Sequence, residues 1–250
     1  MAEFIREIRL PSAGFLYEGK IPEGKVTLRA MRVSEEKFLA GAKKKNFYLI
    51  LNKIFSHCIE SPKDIDVENL ILEDRIYLLV MLRVISYGSQ YMMIHTCSYE
   101  DCYSTFEKLW DLEKLSVKYP TNTIEPIEVI LPSSKLKLKL RMLRGKDEQD
   151  IQEYSERIKG EEGEDVSYSY RLAKRILSIN GKPPNNIGET LSLVESLVGI
   201  DSLYFRDAID SVDIGLQLSY DLVCPKCNRK NELVMPFMGS EFFRPRRLGK

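Results

Sequence analysis

The chain has 250 residues, of which 44% are apolar and 30% charged, and its 37 lysine and arginine residues balance 37 aspartate and glutamate residues. A protein that binds nucleic acid by neutralising phosphates usually carries a basic excess, which this chain lacks. The N-terminus is charged where a secretory signal would be apolar, and the runs FYLIL and IYLLVML are shorter than the roughly 20 residues that span a bilayer. The composition predicts a cytosolic or virion protein with no membrane segment.

The first half of the chain predicts a β-hairpin followed by helices. A strand leads into Leu10-Pro11-Ser12, and a second strand over residues 26–33 alternates apolar and polar side chains. Ser34 is the expected N-cap of the next helix, because the two glutamates after it would lie in the first turn. Further helices are predicted over residues 47–58 and 74–85. Gly88 is expected to end the last helix, and a strand then leads into a pair of cysteines.

The second half predicts the same order of elements. Residues 135–143, KLKLKLRML, alternate as a strand, and two acidic residues again begin a helix directly after it. Further helices are predicted over residues 168–179, 187–197 and 203–212. Gly215 is expected to end the last helix, as Gly88 does in the first half. A strand leads into a second cysteine pair, and another leads out.

Three blocks of the sequence occur twice, in the same order. Leu10-Pro11-Ser12 returns as Leu131-Pro132-Ser133, and LRAMRVSEE (28–36) matches LRMLRGKDE (140–148). A third block, residues 74–97, aligns without gaps to residues 201–224. Its identities are Asp74/Asp201, Tyr77/Tyr204, Gly88/Gly215, Gln90/Gln217 and Cys97/Cys224. The repeats predict an α+β fold of two tandem related units in a pseudo-two-fold relation, each made of a β-hairpin, helices and a cysteine-knuckle hairpin.

The boundary between the halves is predicted within residues 117–128, VKYPTNTIEPIE, which contain two prolines and several turn formers. The predicted organisation is a first unit over residues 1–120 with the Cys97/Cys102 knuckle, a second unit over residues 121–240 with the Cys224/Cys227 knuckle, and a basic C-terminal tail over residues 241–250. The segment 157–168, RIKGEEGEDVSY, is interpreted as a solvated loop and not as an acidic metal cluster, because like charges repel and stay hydrated.

An odd number of cysteines, five, without a signal peptide argues against a disulfide framework. Cys58 lies in an apolar helical stretch and is expected to pack as a small buried residue. Cys97 and Cys102 form a Cys-x4-Cys turn, and Cys224 and Cys227 form a Cys-x2-Cys turn; zinc knuckles use both spacings. If the units pack about a pseudo-two-fold axis, the two knuckles meet. The prediction is one shared structural tetrathiolate zinc site with these four cysteines as ligands.

Three alternatives for these cysteines remain: free thiols without metal, a redox dithiol and a disulfide. The redox interpretation is disfavoured because CPKC lacks a thioredoxin-like βαβ context. Lys226, Arg229 and Lys230 would offset the double negative charge of a zinc tetrathiolate. His95 is interpreted as a strand residue that points elsewhere, since four thiolates already fill a tetrahedral site. His57 is interpreted as part of an apolar helix face.

The chain lacks the common catalytic motifs. It has no Gly-rich phosphate loop after a strand, no Gly-x-Ser-x-Gly elbow and no His-Glu-x-x-His sequence. The chain has two histidines, and both are interpreted as structural residues, so the sequence offers little support for acid–base catalysis by histidine. We therefore predict that the protein is not an enzyme and has no catalytic or cofactor-binding residues besides the metal ligands.

Aromatic residues crowd the first knuckle. These are Tyr87, Tyr91, Tyr99, Tyr103 and Trp110. Such a density fits a protein interface, where tyrosine and tryptophan are enriched, and fits core packing equally well. The C-terminal sequence EFFRPRRLGK places four basic residues after two phenylalanines, as in a docking peptide or a frayed end.

The segments LPSAGFLY (10–17), LRAMRVSEEKFL (28–39) and LILEDRIYLLVMLRVISYG (70–88), followed by the knuckle, resemble the baseplate hub subunit and hub assembly protein family of T-even-type contractile-tailed bacteriophages. The resemblance is strongest over residues 5–120. The second half lacks the opening glycine and the Tyr-Gly pair, so it resembles the family mainly because it repeats the first half. The resemblance implies a non-enzymatic role in the central hub of the tail baseplate, near the tape-measure and spike proteins.

The function predicted from the sequence is a structural component or assembly factor of the baseplate hub that acts through protein–protein contacts. It would be located in the virion tail and, during assembly, in the host cytoplasm. Expected partners are other hub, tape-measure or spike proteins, without membrane or nucleic acid, and oligomerisation is compatible with this role. The alternatives are a zinc-ribbon-type adaptor for nucleic acid or a packaging or replication complex, and a thiol redox enzyme.

Overall fold

The computed structural model describes residues 4–42, 46–121, 124–158, 160, 163–235 and 240–243. Within these residues the chain forms an α+β fold of seven α-helices and several small antiparallel sheets. None of the helices in the described part has the length and apolarity that crossing a bilayer requires. The predicted α+β class is therefore confirmed.

The first half combines a three-stranded sheet, three helices and a long hairpin. Its strands are β1 (Ile5–Arg9), β2 (Lys25–Arg29), β3 (Ile59–Ser61), β4 (Gln90–Thr96) and β5 (Thr105–Asp111), and its helices are α1 (Val33–Ala40), α2 (Phe47–Cys58) and α3 (Leu72–Tyr87). The sheet has the antiparallel order β1-β2-β3, and β4 pairs with β5 over seven residues each. The strand β2 carries a register irregularity between Thr27 and Leu28 where it meets β3.

The second half contains a similar set of elements. Its strands are β6 (Val117–Lys118), β7 (Ile127–Ile130), β8 (Lys137–Leu140), β9 (Ile176–Ile179), β10 (Gly215–Leu216), β11 (Ser219–Val223) and β12 (Lys230–Val234), and its helices are α4 (Gly145–Arg157), α5 (Ser167–Ala173), α6 (Ile187–Ser196) and α7 (Gly199–Asp210). The order of the second sheet is β7-β8-β9, with a register irregularity between Lys139 and Leu140 in β8. The short strands β6 and β10 pair with each other, and β11 pairs with β12.

The helix predicted over residues 47–58 is confirmed, but the one predicted over 168–179 is wrong in its second part. There, α5 ends at Ala173, and Ile176–Ile179 form β9. These residues pair with β8 and complete its sheet, so tertiary pairing overrides the helical pattern. Gly215 does not end a helix either: α7 already ends at Asp210, and the glycine opens β10 with a positive φ of 103°.

A buried arginine–carboxylate pair follows the second strand of each sheet. In the first half Arg29 makes two hydrogen bonds to the carboxylate of Glu35, at 3.1 and 3.2 Å. The same carboxylate accepts a 2.7 Å bond from the N–H of Arg32, which is the N-cap of α1 instead of the predicted Ser34. Burial would raise the pKa of Glu35, but Arg29 and the Arg32 N–H lower it to about 2.

The second half has the corresponding pair between Arg141 and Asp147, with bonds of 2.6 and 2.8 Å. The N–H of Arg144, the N-cap of α4, donates to Asp147 at 2.8 Å. Burial opposes the ionisation of Asp147, but Arg141 and the Arg144 N–H hold its pKa below the ordinary value. The repeated Arg…Asp/Glu spacing thus fixes how each helix starts after its strand.

A buried aspartate also anchors the Leu-Pro-Ser turn of each half. In the first half Asp74 accepts bonds from the Ser12 N–H at 2.8 Å, the Ser12 hydroxyl at 2.6 Å and the Tyr17 hydroxyl at 2.5 Å. In the second half Asp201 accepts bonds from the N–H groups of Ser133 at 2.7 Å and Ser134 at 2.9 Å. Because each aspartate is the third residue of its helix, it holds the turn against the helix start.

The apolar side chains form two cores. The first is centred on α2 and α3, and includes Cys58, which is fully buried as predicted. It also takes in three residues from the end of the chain, Met235, Phe242 and Phe243. The second core surrounds Phe205 of α7 and the strands β7 and β8, and it also includes Ile71 from the first half. Each half thus places residues in the core of the other.

The two halves also join through a short backbone junction between the starts of α3 and α4. Ile71 and Arg144 form an isolated antiparallel β-bridge. The N–H of Leu72 donates to the carbonyl of Leu143, and the N–H of Gly145 donates to the carbonyl of Leu70, both at 3.0 Å. We refer to this contact as the α3–α4 junction.

Glu73, in the first turn of α3, should make the stability of the protein depend on pH. Although the residue is only partly buried, its Oε2 atom is covered and has no hydrogen-bond partner among the described residues. Burial raises the pKa of this carboxyl to about 7, although the Glu73 N–H and Arg175 favour the charge. The folded protein therefore keeps a proton that the unfolded chain releases near its ordinary pKa of 4.5.

We expect this group to contribute stability that is fully present below the unfolded pKa and is lost as the pH rises to the folded pKa. The loss should be about 3 kcal/mol between about pH 4.5 and about pH 7. Glu73→Gln removes the titration, so urea unfolding of wild type and variant at several pH values measures the difference. Glu7→Gln, at an exposed position, is the control. If the difference between wild type and Glu73→Gln does not change with pH, the assignment is wrong.

Candidate metal centre

The four paired cysteines meet at one point between the two long hairpins. The Sγ atoms of Cys97, Cys102, Cys224 and Cys227 all lie within 4.8 Å of one another. The Sγ atoms of Cys97 and Cys227 are 3.7 Å apart, and those of Cys102 and Cys224 are 3.8 Å apart. Two cysteines are buried and two partly buried. Among the described residues, no other group of three or more His, Cys, Asp or Glu side chains converges in this way.

These separations fit a tetrahedral metal site and do not fit a disulfide. A zinc ion with Zn–S bonds of about 2.3 Å places its sulfur ligands about 3.8 Å apart at the edges of a regular tetrahedron. A disulfide needs sulfur atoms about 2.05 Å apart, and all five cysteines are free thiols. The cluster can therefore hold one metal ion, and four thiolates leave no open position for a substrate.

Matching turns aim the cysteines at this point. After β4, the N–H of Cys97 donates to the carbonyl of Ser104, and after β11, the N–H of Cys224 donates to the carbonyl of Arg229. The residue after the second cysteine of each turn has a positive φ, 42° at Tyr103 and 56° at Asn228. This left-handed residue reverses the chain into the next strand, so both sulfur atoms of a turn face the same side.

The Ser104 hydroxyl lies between two of the cysteines and can donate its hydrogen to either thiolate, one at a time. Its Oγ atom lies 3.1 Å from the Cys224 Sγ and 3.2 Å from the Cys102 Sγ. This hydroxyl, with the N–H groups of Cys227 and Lys226, lowers the pKa of Cys224 to about 6. The same hydroxyl is the largest cause of the lowered pKa of Cys102. Because thiolates are the form that binds metal, Ser104 favours metal binding.

Cys97 differs because it keeps its proton more tightly in the absence of metal. The N–H of Tyr99 lowers the pKa of Cys97, but burial and the three neighbouring thiols raise it to about 11. Four thiols this close cannot all lose their protons without a cation between them. A cluster in which all four thiols are ionised would therefore need a positive ion at its centre.

Arg229 supplies positive charge beside the cluster. Its guanidinium pairs with the carboxylate of Asp101 in the opposite knuckle, and its Cζ atom lies 4.1 Å from the centre of the Tyr99 ring. Asp101, and then the Cys227 sulfur, raise the pKa of Arg229. The Arg229 guanidinium therefore contacts the β4–β5 hairpin, whereas its backbone carbonyl bonds within its own β11–β12 hairpin. Lys230, the next basic residue, lies 3.8 Å from Asp221 of its own hairpin.

Two further contacts join the knuckles without using sulfur. The Asn231 side chain accepts bonds from the N–H of Ser98 at 2.8 Å and from the Ser98 hydroxyl at 3.0 Å, and it donates to the Arg229 carbonyl. The Tyr99 hydroxyl donates to the carbonyl of Lys230 at 3.1 Å. Neither Ser104 nor Asn231 was predicted from the sequence as part of the site; the signal that could have identified them is their position next to the cysteine turns.

Neither histidine joins the cluster. His95 lies in β4, is buried, and packs edge-on to Trp110 with ring centroids 6.5 Å apart. Burial lowers its pKa. The prediction that His95 points elsewhere agrees with this position. His57 is not part of an apolar helix face, because its side chain is 50% exposed and lies 3.5 Å from Glu35.

Most of the aromatic residues near the first knuckle contact the protein itself. Tyr91 packs against Phe242 with ring centroids 5.2 Å apart, and Trp110 packs against Tyr220 at 5.1 Å. The Tyr87 hydroxyl donates to Glu36 at 2.7 Å. Tyr103 differs, since it is 59% exposed. Core packing therefore explains most of this group, and Tyr103 is the member that is available to a partner.

Two predicted segments fall partly outside the described residues. Residues 244–250 of the C-terminal tail lie outside the described residues, and they include all the basic side chains of the tail. Phe242 and Phe243 are described and are buried. In the acidic segment 157–168, residues 159, 161 and 162 lie outside them. Neither segment contributes a described residue to the cysteine cluster.

Comparisons with known proteins give one family. The search of curated proteins found no match, and neither did the search of solved structures. The sequence model of the T4 bacteriophage base plate protein family matches residues 1–244, which is nearly the whole chain and includes both cysteine knuckles. A baseplate family suggests a structural, non-enzymatic role in the phage tail and contacts with other tail components. The chain belongs to the family of T4 bacteriophage base plate proteins.

Proposed function

We propose that this protein is a structural component or assembly factor of the tail baseplate hub, and that a zinc ion fixes the relative orientation of its two halves. The observation that carries the proposal is the convergence of four sulfur atoms, two from each half, within 4.8 Å of one another in a member of a baseplate family. A closed thiolate site is suited to structure and not to catalysis. The protein would act by presenting rigid surfaces to other hub, tape-measure or spike proteins.

The two halves are proposed to be related units, over residues 1–120 and 121–240. Support comes from contacts that occur twice: a buried arginine–carboxylate pair after the second strand, a buried aspartate under the Leu-Pro-Ser turn, and a hairpin that ends in two cysteines. The two sulfur–sulfur contacts also exchange when the knuckles are exchanged, since Cys97–Cys227 becomes Cys224–Cys102. We therefore propose the pseudo-two-fold relation for the knuckles; the α3–α4 junction does not follow it, because the corresponding starts of α1 and α7 are exposed.

Cys97, Cys102, Cys224 and Cys227 would hold the zinc, and the ion would supply two positive charges to a cluster of four thiolates. Ser104 would donate its hydroxyl hydrogen to one of the thiolates, and Arg229 would offset part of the remaining negative charge. The basic side chains of Arg229 and Lys230 lie against carboxylates, which gives no support to the nucleic-acid alternative.

The assembly role can be tested in infected cells. A phage that lacks the gene should accumulate incomplete baseplates without a hub, as seen by electron microscopy of cell lysates. Wild-type protein supplied from a plasmid should restore complete tails, whereas Cys224→Ser should not. Complete baseplates in the absence of the gene would contradict the proposal.

Mass spectrometry of purified particles then separates the two forms of the proposal. A component is expected in the mature particle at a fixed ratio to the other baseplate proteins. An assembly factor is expected in lysates of infected cells, bound to hub, tape-measure or spike proteins, and absent from the particle. A protein that binds polymerase or packaging proteins instead would favour the adaptor alternative.

A further inference from the structure

The α3–α4 junction uses one helix start from each half, and the sequence repeat gives each of them a counterpart in the other half: α7 corresponds to α3, and α1 corresponds to α4. The counterparts have similar backbone conformations at their N-caps. The N-cap of α3, Ile71, has φ −64° and ψ 155°, and the N-cap of α7, Val198, has φ −71° and ψ 155°. The N-cap of α4, Arg144, has φ −107° and ψ 164°, and the N-cap of α1, Arg32, has φ −103° and ψ 168°. The starts of α1 and α7 therefore match the two surfaces that join in the α3–α4 junction.

Apolar side chains at these two matching places face solvent. Ile71 in the α3–α4 junction is fully buried, but Val198, the corresponding residue of α7, is 52% exposed. Val33, the first residue of α1, is 67% exposed. Two further apolar residues of α7, Ile200 and Leu203, are 48% and 42% exposed. Exposed apolar side chains close together in the sequence are typical of protein contact sites.

Two substitutions between the halves have complementary sizes. Within the α3–α4 junction, Gly145 leaves room for the guanidinium of Arg75, which a Cβ on the glycine would approach to 2.6 Å. At the matching positions, α1 has Val33 in place of the glycine, and α7 has Ser202 in place of the arginine. In the α3–α4 junction the large side chain of Arg75 lies against a glycine, which has no side chain. At the matching positions the small Ser202 would lie against the medium-sized Val33. This pattern is expected if Val33 and Ser202 also meet across a junction.

The backbone groups needed for such a junction are also present. In the α3–α4 junction, the N–H of each first helical residue donates to a carbonyl of the other half. Val33 and Gly199 are the corresponding first residues of α1 and α7, and the N–H of a first helical residue has no acceptor within its own helix. The matching acceptors are the carbonyls of Leu197 and Met31.

We propose that the start of α7 in one copy of this protein docks on the start of α1 in a second copy, repeating between chains the junction that joins α3 to α4 within a chain. A second copy is the favoured occupant because each chain carries both complementary surfaces. The N–H of Gly199 would donate to the Met31 carbonyl, and the N–H of Val33 to the Leu197 carbonyl. The proposal relies on the sequence repeat that relates α1 to α4 and α7 to α3, but not on a two-fold axis between the halves, on zinc or on the hub role.

This contact is heterologous, since it joins two different surfaces. After two copies pair, one chain keeps an unused α1 surface and the other keeps an unused α7 surface, so association would continue to a closed ring or an open filament instead of stopping at a symmetric dimer. The two kinds of surface can therefore be blocked separately. Two variants, each blocked at a different surface, should pair with each other, which would not occur if the contact were symmetric.

The test uses sedimentation velocity of the full-length, metal-loaded protein over a range of concentrations. Wild type should associate increasingly with concentration. Val33→Asp and Val198→Asp should each associate at least about tenfold more weakly, because the carboxylate would be buried against apolar groups. An equimolar mixture of the two variants should form a dimer and nothing larger, since each variant retains the surface that the other has lost. Val223→Asp, at a valine that is 55% exposed on β11, should behave as wild type.

A wild type that stays monomeric, or a mixture of variants that forms no dimer, would overturn the proposal. Equal weakening by Val223→Asp would also overturn it. Both test positions are exposed, so the melting temperatures of the variants should stay close to that of wild type. The experiment on baseplate assembly in infected cells does not depend on this test. The docking proposal and the proposed function can therefore fail independently.

Discussion

Replacing Cys224 with serine is expected to abolish tight zinc binding and to destabilise both long hairpins together. The serine hydroxyl is a poor zinc ligand, and the remaining three cysteines cannot close a tetrahedral thiolate site. Structural zinc in small domains supplies an apparent free energy of the order of 10 kcal/mol, part of which appears as folding free energy. Here two apolar cores remain without the metal, so the loss should be concentrated in β4–β5 and β11–β12.

The effect must reach both halves because the sulfur atoms of Cys224 and Cys102 are only 3.8 Å apart, although they belong to different hairpins. Elemental analysis should find one zinc per wild-type chain and less than one-tenth of that in the variant, after dialysis against a weak chelator. Hydrogen exchange should show faster exchange in β4–β5 as well as in β11–β12.

Cys58→Ala is the matched control, since Cys58 is the fifth cysteine and lies in the first core, away from the cluster. It should keep its zinc and lose about 1 kcal/mol of stability by leaving a small cavity. A Cys224→Ser protein that retains a full zinc equivalent would contradict the shared site. So would faster exchange confined to β11–β12.

The cysteine cluster was predictable from the sequence because its signal is local. Each pair has a knuckle spacing, and a strand is predicted on either side of it, which indicates a hairpin with the cysteines in its turn. The repeat then indicated that the two turns belong together. Ser104 and Asn231 were not predictable in the same way, because their contacts cross between hairpins, and a serine or an asparagine near a turn has many ordinary roles.

The sequence was less informative where long-range pairing decides the structure. The segment that forms β9 has the apolar content of a helix, but the edge of β8 offers it a strand partner. The α3–α4 junction was also missed. It depends on Arg75 and Gly145, two positions at which the halves differ, so a search for identities passes over them. Differences within a repeat mark the places where the copies have separate roles.

Removing the carboxylate of Asp74 is expected to have the second-largest effect on stability. Asp74→Ala leaves three buried donors without an acceptor: the N–H and hydroxyl of Ser12 and the hydroxyl of Tyr17. Each lost partner costs about 1–3 kcal/mol when the remaining group stays buried, and partial relaxation reduces the sum, so we expect a loss of roughly 4 kcal/mol. Asp201→Ala removes the acceptor of the Ser133 and Ser134 N–H groups, but these two serines are exposed whereas Ser12 is buried, so the change should cost roughly 2 kcal/mol.

The Asp74 network should also connect the turn to the α3–α4 junction. The Tyr17 hydroxyl that donates to Asp74 accepts a 3.1 Å bond from the N–H of Ile71, the residue that bridges to Arg144. Burial raises the pKa of Tyr17, so the hydroxyl remains a donor. Tyr17→Phe should therefore lose about 1–2 kcal/mol, and in Asp74→Ala the same change should have a smaller effect, because its acceptor is already gone.

Urea unfolding of the four proteins in this cycle measures the coupling between Asp74 and Tyr17, which we expect to be at least about 1 kcal/mol. If the two substitutions add independently, the carboxylate and the hydroxyl do not act as one network. Hydrogen exchange at Leu72 and Gly145, whose N–H groups cross the α3–α4 junction, gives a second readout. Faster exchange at both amides in Asp74→Ala, but not in Asp201→Ala, is expected only if Asp74 supports the contact between the halves as well as its own turn.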